Sequence, residues 1–160
     1  MIRIGMVALA FGLAACGSSG PATHFTATMK ASNEVGTTVN SSGTGTADYT
    51  VDGGTVTFTV TFTGLTANAN NAHIHVGPAG VNGGVTVPFT SQVPHSNSGT
   101  FSGTFTAANV QAASTPDGGI GVDAGDYNGL LQLMRAGETY TNIHTTANQG
   151  GEIRGQNQPQ

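Results

Sequence analysis

The chain has no tryptophan, a single cysteine, and few charges: four Lys and Arg against eight Asp and Glu, 8% of 160 residues in all. Each scarcity excludes something. One cysteine cannot make an intramolecular disulfide, so stability rests on packing and hydrogen bonds. The few cations are scattered, and phosphate recognition needs a basic stripe, so nucleic acid is not an expected partner. Long apolar runs are also missing. The only one, Ile4 to Leu13 after Arg3, falls short of the ~20 residues that span a bilayer.

That run has the form of an export signal: a positive start, an apolar stretch, then small Ala14 and Ala15 directly before Cys16. We read 1–15 as a lipoprotein signal peptide, with Leu13-Ala14-Ala15-Cys16 resembling the bacterial lipobox and Cys16 as the lipidated first residue of the mature chain. The other reading is a secreted protein without lipid. Residues 16–22 are mostly Gly, Ser and Pro, the composition of a flexible tether. Residues 23–160 are expected to form one domain, exported and held by lipid in an envelope membrane. Gly17 is not the Asp that commonly retains lipoproteins in the inner membrane, which favours the outer one, on its periplasmic or surface face.

What the sequence has in excess is glycine, 25 residues, and threonine. Val56, Phe58, Val60 and Phe62 alternate with Thr55, Thr57, Thr59 and Thr61, the pattern of a half-buried antiparallel strand. Phe25, Ala27 and Met29, and then Ala47, Tyr49 and Val51, repeat that period, and Asp52-Gly53-Gly54 is a hairpin signal. Further short strands are expected at 72–76, 85–89, 100–106, 138–145 and 152–155. Eight strands with glycine-rich turns predict an all-β fold, an antiparallel β-sandwich or Greek-key barrel of superoxide-dismutase-like or immunoglobulin-like kind. Residues 112–128 look like a long surface loop. Leu130 to Met134 reads as either a helical turn or a buried strand.

Three of the five histidines fall into a chemically useful pattern. His73 and His75 flank Ile74, and His144 follows Ile143; in strands, residues two apart share a face. If the isoleucines point to the core, the imidazoles lie on the outside of the sandwich under loops. Imidazole suits zinc, copper and iron, and His-X-His presents two ligands already aligned. The expectation is a metal site of His73, His75 and His144 for one copper or zinc ion, with no organic cofactor. Proton competition is expected near pH ~6.5. Tyr140, on the His144 face, is a fourth ligand, a hydrogen-bond partner, or a strand tyrosine with its hydroxyl at the surface. Glu152 and Arg154 are either partners that orient the imidazoles or a surface ion pair. His95 is the one remaining loop histidine, and the chain carries no candidate catalytic constellation. A metal-free binding or structural module is the alternative.

The run Ala72-His73-Ile74-His75-Val76-Gly77-Pro78-Ala79-Gly80-Val81-Asn82-Gly83-Gly84-Val85 resembles the first signature of the CHRD domain. Tyr140-Thr141-Asn142-Ile143-His144-Thr145 and Gly150-Gly151-Glu152-Ile153-Arg154-Gly155-Gln156 are similar to the second. The resemblance implies a small β-sandwich of secreted and surface-attached proteins, with no well-established catalytic activity. The layout is also similar, more faintly, to copper/zinc superoxide dismutase. That likeness implies that His73, His75 and His144 match three copper ligands, while its bridging histidine, zinc loop and disulfide have no counterparts.

Overall fold

A computed structural model describes residues 20–160. The signal segment, the lipobox and Cys16 lie outside the described residues. Eleven strands and one α-helix follow in order. They are β1 His24–Lys30, β2 Thr44–Asp52, β3 Thr55–Thr63, β4 Ala69–Val76, β5 Val85–Pro88, β6 Gly99–Thr106, β7 Ala113–Ser114, β8 Gly121–Val122, α1 Tyr127–Arg135, β9 Thr139–Thr145, β10 Ile153–Gln156 and β11 Gln158–Pro159. The main sheet is antiparallel and runs β5-β4-β9-β10-β1-β2-β3-β6, with β11 also pairing β1.

Strand β3 shows why the sheet curls. Val56, Phe58, Val60 and Phe62 are at most 2% exposed, while Thr57, Thr59, Thr61 and Thr63 face solvent. A sheet with one apolar face must cover it, and this one does so by rolling until its two ends meet. Phe89, just past β5 at one end, lies 4.4 Å from Phe58 of β3 and 6.1 Å from Phe101 of β6 at the other. The result is a nearly closed, barrel-like sheet, and the all-β expectation holds with each of the eight expected strands in place.

One segment differs from the sequence reading, and one that it left open is settled. The stretch 112–128 is not wholly loop: it holds the β7–β8 hairpin and the first two residues of α1. Leu130 to Met134 is helical. The Asp126 side chain accepts from the Gly129 N–H at 2.8 Å and so caps the N-terminus, while Leu130, Leu131 and Met134 are buried on one side. At the other end Gly137, with φ +69°, allows a Schellman turn: the Glu138 N–H donates to Leu133 O and the Gly137 N–H to Met134 O.

Candidate metal centre

Strands β4 and β9 pair so that His73 lies opposite Asn142, His75 opposite Tyr140 and Asn71 opposite His144. Ile74 and Ile143 are fully buried in the core, so the residues on either side of them project from the other face. The cross-strand row continues from Asn142 to Arg154 of β10 and from Arg154 to Lys30 of β1. One nitrogen from each of His73, His75 and His144 lies within 4.8 Å of the others. The pattern of alternating residues read from the sequence therefore brings these three imidazoles together.

Hydrogen bonds fix the tautomers. His75 Nδ1 lies 3.0 Å from Gly83 O and His144 Nδ1 lies 2.9 Å from Gln149 O. A carbonyl only accepts, so in each ring Nδ1 carries the hydrogen and Nε2 keeps its lone pair. His144 Nε2 sits 3.2 Å from His73 Nδ1, which donates to it, while His75 Nε2 is buried with no partner among the described residues. A metal-binding imidazole characteristically gives its other N–H to a carbonyl or carboxylate, and two of the three already do so. A tetrahedral ion with bonds of about 2.0–2.1 Å holds its nitrogens roughly 3.4 Å apart, close to the 3.2 Å of the His73–His144 pair, although the hydrogen on His73 Nδ1 must first move to its Nε2 for both nitrogens to bind.

The rings are also neutral. Burial, then the neighbouring His144 and His75, push His73 down to about 4. Burial brings His75 to about 4 too, against the opposing Gly83 carbonyl and with His144 and Arg154 adding to the fall. His144 is lowered as well, by burial. This corrects the expected proton competition near pH 6.5: the lone pairs of His73 and His75 stay free to about two pH units further down.

Tyr140 is 3% exposed, and its hydroxyl, expected at the surface, instead accepts from the Gly83 N–H at 3.2 Å. Its ring stacks on His75, with centroids 4.7 Å apart and planes 5° apart, and Arg154 covers the other face at 3.3 Å. Gly83 serves both partners, taking the His75 N–H on its carbonyl and giving its own N–H to Tyr140. Only glycine fits there, because a Cβ would run into the Val76 carbonyl.

Arg154 and Glu152 are buried and do not pair with each other. Arg154 is 2% exposed and donates to Asn82 Oδ1 and to the carbonyls of Pro78 and Val81, which closes the β4–β5 loop over the site. The Tyr140 ring stands between the guanidinium and His75, whose pKa that charge helps to lower. Glu152, 0% exposed, accepts from Ser41, from the Thr66 N–H and hydroxyl, from Thr145 and from Asn148. Burial alone would raise its pKa, but these donors outweigh that and hold it down at about 2. It is a tie between loops and is not part of the three-histidine group. His95 is exposed in the β5–β6 loop and stands outside the three-histidine group.

Two residues of this face were not singled out from the sequence. Asn142, 2% exposed, donates through Nδ2 to Glu34 Oε1 at 2.7 Å, and Glu34 arrives there from the short 3-10 turn Ala31–Asn33 after β1. Burial raises the Glu34 pKa to about 7, against the Asn142 hydrogen bond and the Arg154 charge. Strand parity with Tyr140 and His144 was the available signal for Asn142. No local signal marks Glu34, because only the fold carries it there.

Among the described residues no helix is long and apolar enough to cross a membrane. No curated protein and no solved structure matches the chain. The CHRD domain family model matches residues 25–157, which takes in every strand of the main sheet except β11 and both histidine signatures. With that match spanning most of its length, the chain belongs to the CHRD domain family, one of extracytoplasmic modules.

Proposed function

We propose that the protein is a lipid-anchored envelope module that binds one metal ion, copper in preference to zinc, through His73, His75 and His144. The observation that supports this is the convergence of the three nitrogens within 4.8 Å, with the opposite nitrogen of two rings already held by a backbone carbonyl. Three neutral imidazoles without a thiolate or carboxylate form a nitrogen-only donor set. Divalent copper binds such a set more tightly than zinc by the general order of divalent affinities. Three protein ligands also leave a coordination position open, as in sites that take water or a small molecule as the fourth ligand. Tyr140 and Gly83 orient His75, and Gln149 orients His144.

The anchor is the second part of the proposal. Cys16 carries lipid, 16–22 is the tether, and the domain enters the sheet at His24. The row Lys30-Arg154-Asn142-His73 lies at the other end of β1, about 20 Å along a seven-residue strand. The histidines therefore lie at the end of β1 opposite to the one the tether joins. Cys16→Ser should move the protein out of the membrane fraction, and processed Cys16→Ser protein in that fraction at wild-type level contradicts the anchor.

Calorimetric titration of the purified protein with Cu(II) or Zn(II) should give one saturable site. His75→Ala should remove most of the affinity, because two imidazoles define no geometry, and His24→Ala should leave it unchanged. No one-to-one binding, or equal weakening by the two substitutions, replaces the metal reading with a metal-free binding module.

A further inference from the structure

The two ends of the rolled sheet meet through side chains, Phe89 against Phe58 and Phe101, and no backbone ladder joins β5 to β6. Two strand edges therefore remain, and they differ. A bare edge is a template for another strand, so native sheets guard theirs with a bulge, a proline, a lysine or a covering segment. Strand β5 has three of these: its ladder with β4 is bulged, it ends in Pro88, and Thr86 O accepts from the Gln111 N–H at 2.8 Å. Strand β6 has none. Its eight residues include no proline and no charge, and they pair with β3 without a shift.

The register decides which backbone groups the β6 edge presents. Asp52 and Thr55 close the two-residue turn Gly53-Gly54, so they form a hydrogen-bonded pair, and such pairs recur at every second residue. The odd-numbered residues of β3 thus bond to β2, which leaves Val56, Phe58, Val60 and Phe62 to bond Phe105, Gly103, Phe101 and Gly99 of β6. The even-numbered residues of β6 point the other way. Thr106 agrees, since its N–H donates to Asn109 Oδ1 at 3.0 Å instead of to β3. Thr100, Ser102 and Thr104 are exposed, and their three N–H and three C=O groups have no partner among the described residues.

We propose that β6 is a self-association edge, where a second copy of the chain adds its own β6 antiparallel about a two-fold axis at Ser102. Ser102 then pairs with Ser102 of the second copy, and Thr100 with Thr104, so that every open group of both edges is used. Other registers waste some. An axis at Phe101 sets Thr104 against Ser98, beyond the strand, and one at Gly103 calls on the Thr106 N–H that Asn109 already holds. On the core side the Ser102 axis places Phe101 opposite Gly103 of the second copy, which avoids ring against ring. Charge favours a like partner here, because no Lys, Arg, Asp or Glu lies between Asp52 and Asp117 in a chain of net charge -4. Two copies meet at this edge without like charges face to face, and a charged partner gains nothing from it. None of these groups belongs to the metal reading.

The test uses the full-length chain in detergent, with micelles in excess and a chelator present, over a range of protein concentrations. Sedimentation should show monomer passing to dimer. NMR amide exchange should slow at Thr100, Ser102 and Thr104 as the dimer forms, while Phe101 and Gly103, already bonded to β3, keep their rates. Ser102→Pro removes an outward N–H from each copy and leaves the ladder to β3 intact, so it should weaken the dimer at least ~10-fold. Ser102→Ala keeps the backbone bonds and should leave the dimer unchanged. A monomer at every concentration overturns the inference, and so does a dimer in which those three amides exchange as they do in the monomer. A folded Ser102→Pro protein that dimerises like the wild type overturns it too. The exchange measurement needs no variant, so it stands even if Ser102→Pro fails to fold.

Discussion

The sheet has two unlike wings. In β2, β3 and β6 one face is apolar and packed, and the other is a solvated field of threonines with Thr61 and Thr100 hydroxyls 3.0 Å apart across the strands. In β4, β9 and β10 both faces are covered: Ile74, Ile143 and Ile153 look into the core, while Tyr140, Asn142 and Arg154 are buried under loops on the other side. The first wing is held by packing and the second by side-chain hydrogen bonds that cross large sequence separations, such as Ser41 to Glu152 and Pro78 to Arg154. Covering the outer face of the second wing is what partly shields the imidazoles from water and lowers their pKa. The site exists because that wing gives up a solvated face.

If the wings differ in this way, substitutions should separate them. The largest effect is expected in the first: Phe58→Ala removes a ring packed against Phe89, Phe101 and Phe105 and should cost about 3–5 kcal/mol in denaturant titration. Glu152→Ala should follow at about 2–4 kcal/mol. It strands several donors, but Thr66 is exposed and Ser41 and Asn148 are partly so, and water replaces some of what is lost. Thr57→Ala, on the open face, should stay within about 0.5 kcal/mol. A Thr57 cost equal to that of Phe58, or a negligible Glu152 cost, would erase the distinction.

The dependence on pH sharpens the same contrast, because every strongly shifted carboxylate or imidazole belongs to the polar wing or to the loops over it. Glu152 titrates at about 2 when folded, below its ordinary 4.5, so it adds stability above pH 4.5 that is lost as pH falls towards 2. His73 and His75, lowered to about 4, act in the same direction between pH 6.5 and 4. Glu34 opposes them: raised to about 7, it stabilises below pH 4.5, and that contribution is lost as pH rises through 7. Glu34 offsets only part of the histidines' loss, so Glu34→Gln should steepen the fall in stability on acidification from pH 7 to 4.5, and Glu152→Gln should flatten the limb below 4.5. Urea melts at a series of pH values measure both, and slopes of the opposite sign contradict these assignments.

The wings also differ in how far the sequence reveals them. Strand β3 is legible because one face meets water, which imposes a period of two on the residue types. The imidazole cluster is legible for the same reason at one remove, since Ile74 and Ile143 mark the inner side. Burial of Tyr140, Glu152 and Arg154 is not, because alternation cannot tell a solvated outer face from one roofed by a loop. The roof is built from Asn82, Pro78 and Val81 on one side and Ser41 and Thr66 on the other, partners set by tertiary contact alone. Helix α1 was ambiguous because five residues around Leu131 carry too little period to choose. Its Asp126 cap and Gly137 stop, outside that window, settle it.

The central claim is that one ion sits among His73, His75 and His144. X-ray absorption at the metal edge of the copper- or zinc-loaded protein tests it most directly. The account predicts a first shell of nitrogen at about 2.0–2.1 Å with the outer-shell scattering of three imidazoles, falling to two in His75→Ala. A shell of oxygen alone, or three imidazoles that survive His75→Ala, would place the ion elsewhere and contradict it.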